Sequence, residues 1–529
     1  MDKARLTFIE NGKTAEYFVN IGESVLTALR KCGIEAYAPC GGNGTCGKCK
    51  AKVCGNVTPP DDEEKRRLTE DEIENGVRLM CRAAVLGDVT VTTERGKMEI
   101  EASGDVGEIE LSPLSSGELG IAVDIGTTTV AVYMCDLRSG DIISSAAFAN
   151  PQSAYGADII SRVDKIIKDR AALGEQRKIL INAINSAVAG VCRKLHKSIK
   201  SVCACVLCGN TIMEHIARGI DPTPISRAPF TAPTLFKNAC FDASDIGLEL
   251  GDGAVCMLAP CFASYVGGDI VCGMLATELD MCRDNVIFLD VGTNGEIGLS
   301  VGGKLYFCSA AAGPAFEGAN ISCGCSGICG AIRAVSYDGE IKISTIGDAP
   351  PVGICGSGLI DAVAVMLRLG VIDETGAFTD EYSEDIGARV RETDNGDAFF
   401  LYDNVYISER DIREVQLAKA AICAGIYTLL NNAKIGADDI SRFVLAGGFG
   451  SKIDPRSACD IGLVPCELYG KTTSAGNTAG IGAVKLLLSG DVRRRAEAIC
   501  NEYEYIELSS NAFFMNSYIE QMTFLTDEE

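Results

Sequence analysis

The 529-residue sequence has no tryptophan and only two histidines, His196 and His215. Histidine-based acid–base catalysis and imidazole metal ligation therefore have almost no material to work with. Positive charge is also in deficit: 48 Lys and Arg stand against 72 Asp and Glu, a formal net charge of −24. A field of that sign repels phosphate backbones and anionic lipid surfaces, so nucleic acid and membrane are not expected partners. No uninterrupted apolar run approaches the roughly 18 residues that a spanning helix needs. Met1 to Lys13 reads as an amphipathic strand with no apolar core of a signal peptide, and the expected location is cytoplasmic.

Cysteine is abundant, at 25 residues, and the count is odd. In a reducing cytoplasm such thiols stay free, so a few are read as metal ligands and most as small buried hydrophobes. Apolar residues make up 47% and charged residues 23%, the balance of a globular protein. The length calls for several domains. Residues 1–95 read as a small α+β domain. They hold a hairpin across Asn11-Gly12, a helix over Glu23–Arg30, a Cys- and Gly-rich loop, and a strand at Asp88–Thr93. Residues 96–118 are polar and carry Ser-Pro and Ser-Ser-Gly, marking a linker.

The rest contains a duplication. Gly120-Ile-Ala-Val-Asp-Ile-Gly-Thr-Thr-Thr-Val-Ala-Val-Tyr133 is strand, tight turn, strand, and Val286-Ile-Phe-Leu-Asp-Val-Gly-Thr-Asn-Gly-Glu-Ile-Gly-Leu299 repeats it. Each copy leads into a third strand. Two lobes follow, 119–284 and 285–529, with a ligand cleft expected between them.

Cys40-Gly-Gly-Asn-Gly-Thr-Cys46-Gly-Lys-Cys49 has the spacing C-x5-C-x2-C, and Cys81 is a distant fourth candidate. Four thiolates satisfy the two irons of a 2Fe–2S cluster. The intervening glycines let a loop wrap closely and aim N–H groups at sulfur. A zinc site, which favours paired C-x2-C units, and plain core cysteines are the alternatives. Residues 1–95 resemble the 2Fe–2S ferredoxin family, in a C-x5-C-x2-C variant.

In the duplicated turns, Asp124 and Asp290 close strands. Gly126 and Gly292 allow backbone N–H groups near phosphate oxygens, and Thr127, Thr128, Thr129, Thr293 and Asn294 add donors. The two carboxylates suit hydrated Mg²⁺. Phe443-Val-Leu-Ala-Gly-Gly-Phe-Gly450 runs an apolar strand into Gly447, Gly448 and Gly450, which would admit adenosine. Gly476-Asn-Thr-Ala-Gly-Ile-Gly-Ala483 opens a helix of small residues suited to a hinge. In this order the elements resemble the acetate and sugar kinase/Hsp70/actin superfamily. The resemblance implies a β-grasp 2Fe–2S ferredoxin domain followed by a two-lobed actin/hexokinase-like (ribonuclease H-like) ATPase core, a multidomain α+β and α/β architecture.

The whole chain further resembles the reductive activators of corrinoid proteins. Asn150–Arg162, Gly209–His215, Ala312–Ala319 and Gly353–Asp361 are supporting strings. That resemblance implies ATP-dependent one-electron reduction of Co(II) to Co(I) in a corrinoid protein of a methyltransferase system. The cofactors are a 2Fe–2S cluster, ATP and Mg²⁺, an external low-potential donor reloads the cluster, and a homodimer is a candidate assembly. By its place before the second phosphate turn, Asp269 is nominated to position the attacking water, with a helix N-cap as its alternative and Glu317 in reserve.

Alternative functions are an ATP-driven donor to another low-potential enzyme, a redox-gated ATP-binding protein without substantial hydrolysis, and a small-molecule kinase with a redox sensor. Cys203, Cys205 and Cys208 are expected to pack in the core. The Cys323, Cys325 and Cys329 loop departs from the family pattern, and the charge run Asp61–Arg67 reads as a solvated face.

Overall fold

The computed structural model describes residues 3–524, apart from 11–12, 33, 35–37, 39–41, 43, 45–46, 48, 94–105, 157, 238, 394–395 and 449. The chain divides into two compact units. One comprises Met1–Lys97 with Pro151–Asp169, the other Met98–Asn150 with Arg170–Glu529.

In the first unit, β1 (Lys3–Glu10) and β2 (Lys13–Asn20) form the hairpin expected from their alternating patterns. α1 (Val25–Lys31) follows, capped by Ser24 and burying Val25, Leu26, Ala28 and Leu29. Then come β3 (Lys50–Val57), α2 (Asp62–Arg67), α3 (Glu70–Glu74), β4 (Val77–Leu79) and β5 (Val85–Thr93). The sheet order is β2-β1-β5-β3-β4, with β1 and β5 parallel, and α1 covers its apolar face.

The charge run is largely a solvated face, with one exception. Asp61 caps α2, and Glu64 is fully buried against Arg78, with a 2.6 Å charge-assisted contact. The helical period turns that one carboxylate inward while Asp62, Lys65 and Arg66 stay exposed.

The second unit opens with β6 (Leu119–Ile125), β7 (Thr129–Asp136) and β8 (Ile142–Ala149). α4 (Ile159–Lys168) belongs to the first unit, and α5 (Ala171–Lys194) returns the chain to the second. β9 (Val202–Gly209), α6 (Thr211–Arg218), β10 (Cys240–Asp242) and β11 (Val255–Leu258) complete a six-stranded sheet, β10-β11-β9-β6-β7-β8. α7 (Gly268–Thr277) leads to β12 (Val286–Val291), β13 (Gly295–Val301) and β14 (Lys304–Ala310).

Two three-stranded sheets intervene: β15 (Ala331–Tyr337), β16 (Ile341–Thr345) and β17 (Gly353–Ile354), then, after α8 (Gly356–Arg368) and α9 (Glu384–Gly387), β18 (Val390–Thr393), β19 (Gly396–Tyr402) and β20 (Val405–Ser408). After α10 (Glu409–Ala433), β21 (Arg442–Ala446), α11 (Pro455–Asp460), β22 (Thr472–Ser474), α12 (Thr478–Leu488) and β23 (Glu504–Tyr505), the second six-stranded sheet reads β22-β21-β12-β13-β14-β23. The duplication is thus visible in topology. β9 lies parallel to β6 as β21 lies parallel to β12, and each pair is extended by two antiparallel strands. No described helix is long and apolar enough to cross a membrane.

Candidate functional site: a thiol loop and a double phosphate cradle

In the first unit, Cys49 Sγ and Cys81 Sγ lie 3.2 Å apart with no disulfide between them. Cys40 and Cys46 lie outside the described residues. Gly42, Gly44 and Gly47 have φ of 96°, 78° and 66°, the left-handed region that favours glycine. Side chains cover that loop: Arg82 lies over Gly44 and Arg67 over Gly47. Both guanidiniums are held by α2, Arg82 by Asp61 and Arg67 by Glu63. Cys81 is presented by the strand that Glu64 anchors. Glu64 Oε1 accepts from Leu79 N at 2.9 Å, and Met80 N donates to Cys49 O at 2.9 Å. Converging thiols in a left-handed glycine loop fit an iron–sulfur cluster.

In the second unit, the two predicted turns stand at the ends of β6 and β12. Asp124, Asp290 and the α7 residue Asp269 are half-buried carboxyls that act on one another. Burial pushes Asp124 up to about 6. Burial and the Asp124 charge push Asp290 up to about 7. Burial and both other carboxylates push Asp269 up to about 8. Mutual repulsion of this kind is what a bound divalent cation relieves. Asp269 is not the N-cap of α7; that position is Gly267, and Asp269 Oδ1 accepts from Ile270 N at 2.8 Å within the first turn.

Glu317, in a single 3₁₀ turn, lies near both turns. Its Oε2 accepts from Thr128 Oγ1 at 3.2 Å, and its Oε1 is 3.8 Å from where a Cβ on Gly292 would stand. Thr293 Oγ1 is buried with no hydrogen-bond partner among the described residues, a donor suited to a phosphate oxygen. Gly447 has φ 87°, and a Cβ there would stand 2.3 Å from Asp290 Oδ1. The adenosine-motif backbone therefore touches the second carboxylate, which only glycine permits.

Four site residues were not singled out by motif. Asn150 Nδ2 donates to Gly126 O at 2.8 Å, and Asn210 Nδ2 to Thr127 Oγ1 at 3.3 Å. Asn477, the N-cap of α12, donates to Asp124 Oδ2 at 2.9 Å. Glu296 on β13 carries a carboxyl raised well above its usual range by burial, then by Asp269 and Asp290. Asn150 and Asn210 sit in strings quoted for resemblance, and the β6/β12 duplication points to Asn210: it follows β9, the counterpart of β21.

The remaining cysteines do not gather into a further centre. Cys323 Sγ bonds Asn404 O and Tyr406 N, while Cys325 packs with Cys355 and Ala331. Among the described residues no three His, Cys, Asp or Glu side chains converge as a metal site. Cys205 and Cys208 are buried on β9, and Cys203 is half-buried beside them. His215 is a core residue, with Nδ1 2.6 Å from Thr211 O and its ring edge-on to Phe236.

Fold and site together define an iron–sulfur ferredoxin domain fused to an actin/hexokinase-type nucleotide-binding core. Family models agree along the chain: a 2Fe-2S iron-sulfur cluster binding domain matches residues 8–86, the RACo middle region 119–282, and the C-terminal ASKHA domain of RACo 284–529. The corrinoid activation enzyme RamQ of Eubacterium limosum is 33% identical over 414 residues, covering 76% of this chain and 69% of the relative. A Methanosarcina barkeri Co(II) methylated amine-specific corrinoid protein reductase is 25% identical over 445 residues, 77% of each. A solved structure described as a reductive activator for corrinoid, iron-sulfur protein superposes with a TM-score of 0.72 at 30% identity, covering 98% of both chains. This chain belongs to the RACo family of corrinoid reductive activators.

Proposed function

We propose that the protein reduces the Co(II) form of a corrinoid protein to Co(I) with one electron, and that ATP hydrolysis drives the step. The observation that carries this is the union, in one chain, of paired thiols in a glycine loop and two duplicated Asp-x-Gly-Thr turns with Glu317 near both. Cys40, Cys46, Cys49 and Cys81 would hold a 2Fe–2S cluster, which supplies single-electron transfer when bound. Where the Co(II) couple lies below a centre near roughly −400 mV, each 59 mV of shortfall is tenfold in equilibrium for one electron. Nucleotide state can close such a gap only through different affinities for two conformations.

Asp124 and Asp290 would take Mg²⁺ through few direct bonds, keeping waters on the ion. Gly126, Thr127, Thr128 and Thr129 would cradle phosphate from one lobe, and Gly292, Thr293 and Asn294 from the other. Gly447, Gly448 and Gly450 leave room for adenosine. Asp269 would orient the attacking water; Glu317, already bonded to Thr128, would release that hydroxyl as phosphate enters. An external low-potential donor would return an electron after each cycle.

Anaerobic mixing of the reduced protein with a Co(II) corrinoid protein and ATP should produce the Co(I) absorption band. No band with ATP, or an equal band without it, sinks the reading. Steady-state phosphate release with the corrinoid protein separates hydrolysis from mere nucleotide binding.

A further inference from the structure

Asn477 joins the hinge helix to the first phosphate turn. Its Oδ1 accepts from Gly480 N at 2.9 Å, capping α12, and its Nδ2 donates to Asp124 Oδ2 at 2.9 Å. An amide performs both tasks because it carries one acceptor and two donors at the end of a short stem. Serine and aspartate also cap helices, but serine is too short to reach onward and an ionised aspartate has nothing to donate.

α12 is held so that this contact is rigid. A Cβ on Gly482 would stand 2.0 Å from Cys272 O of α7, and one on Gly480 2.4 Å from the Tyr133 ring, so the helix backbone lies directly on both elements. Cys208 Sγ of β9 bonds Ala479 O at 3.5 Å in the same first turn. α7 in turn carries Asp269 near its start. The cap of α12, the carboxylate of the first turn and the nominated water-positioning residue are thereby referenced to one rigid crossing.

We propose that Asn477 is a positioning residue for Asp124. It engages one carboxylate oxygen from α12 and leaves the other for the hydrated Mg²⁺ of a nucleotide complex. This rests on the Mg·ATP reading of the cleft. A carboxylate without this donor is free to rotate, and the ion then loses its fixed partner in both the bound state and the transition state.

The test uses full-length protein with Asn477→Ser, Asn477→Asp and Asn477→Ala, following ATPase rate against Mg²⁺ and ATP together with thermal unfolding. Serine keeps the cap and should hold Tm above that of alanine, whereas aspartate keeps the cap but sets a further carboxylate against Asp124 and should lower Tm as well. Losing a hydrogen bond to a charged group corresponds to about ten- to hundredfold, so all three variants should lose kcat/KM by about that factor. The Mg²⁺ requirement should rise in step. If activity instead follows the cap, with serine behaving as wild type and alanine impaired, Asn477 is only a cap and the proposal fails. Wild-type protein that shows no Mg²⁺-dependent ATP binding overturns the reading of the cleft itself, and the proposal with it.

Discussion

Replacing Glu64 with alanine should empty the thiol loop while leaving the nucleotide core intact. Glu64 is fully buried, and the Arg78 side chain beside it is 7% exposed. Its Oε1 accepts from Arg78 Nε at 3.0 Å and Leu79 N at 2.9 Å, and its Oε2 from Arg78 Nη2 at 2.6 Å. Truncation would leave a buried guanidinium with only Thr58 O, at 2.7 Å, among the described residues, and would free the amide of Leu79, two residues before Cys81. Breaking a buried pair by removing one partner costs about 3–5 kcal/mol. A small domain holds only about 5–15 kcal/mol in total, so its Tm should fall on the order of 20 °C.

Calorimetry of anaerobic full-length protein should show the early transition displaced and the later one unmoved, with iron content and visible absorbance lost in parallel. Because two well-packed apolar residues can replace a buried pair at little cost, Glu64→Leu with Arg78→Met should regain much of the stability. A Glu64→Ala protein that keeps its iron and its unfolding profile would refute the claim that this pair holds Cys81 in place.

Gly447→Ala should abolish tight nucleotide binding without unfolding the core. A left-handed alanine costs about 1–2 kcal/mol, and a Cβ 2.3 Å from Asp290 Oδ1 must displace the carboxylate; nucleotide titration checks it, and wild-type affinity would contradict it. Asp269→Asn should lower the ATPase kcat by about 10²–10⁴ while ATP binding persists, since an amide keeps the shape but cannot accept a proton. Phosphate release and equilibrium binding, measured on the same sample, separate the two.

Lys419→Met should stabilise the protein below pH 8. Burial depresses the ammonium to about 8 from its ordinary 10.5, although its Nζ donates to Thr523 O. Between those values the unfolded chain binds more protons, so native stability rises with pH and the charging penalty, about 3 kcal/mol, is complete below pH 8. The methionine advantage, reduced by about 1 kcal/mol for the lost hydrogen bond, should shrink as pH climbs towards 10.5. Chemical denaturation across pH 7–10 reads the difference, and a constant gap would disprove it.

The parts of the fold written in local repetition were legible. Two copies of strand, turn and strand announced both large sheets, because apolar period and glycine placement are short-range properties. The β15–β20 sheets left no comparable trace, being short and separated by irregular segments. Asp124 and Asp290 could be read for the same reason, since they close recognisable strands.

Residues assembled by distant contact could not. Asn477 is 353 positions from Asp124, and nothing near either residue signals the other. Glu64 misled for a related reason. Within Asp61–Arg67 the composition is uniformly charged, and only Arg78, fourteen residues on, explains why one acid points inward. Cys40 and Cys46 were assigned from spacing and lie outside the described residues.

The excursion of the chain at Pro151 ties the phosphate turn to the redox unit by covalent continuity. Asn150 closes one unit, and its backbone and amide clamp Thr128 O and Gly126 O, each at 2.8 Å. The next residue, Pro151, already clusters with the first unit, and α4 begins eight residues further along. Excising residues 1–97 would leave behind α4, a segment that clusters with them in one compact unit.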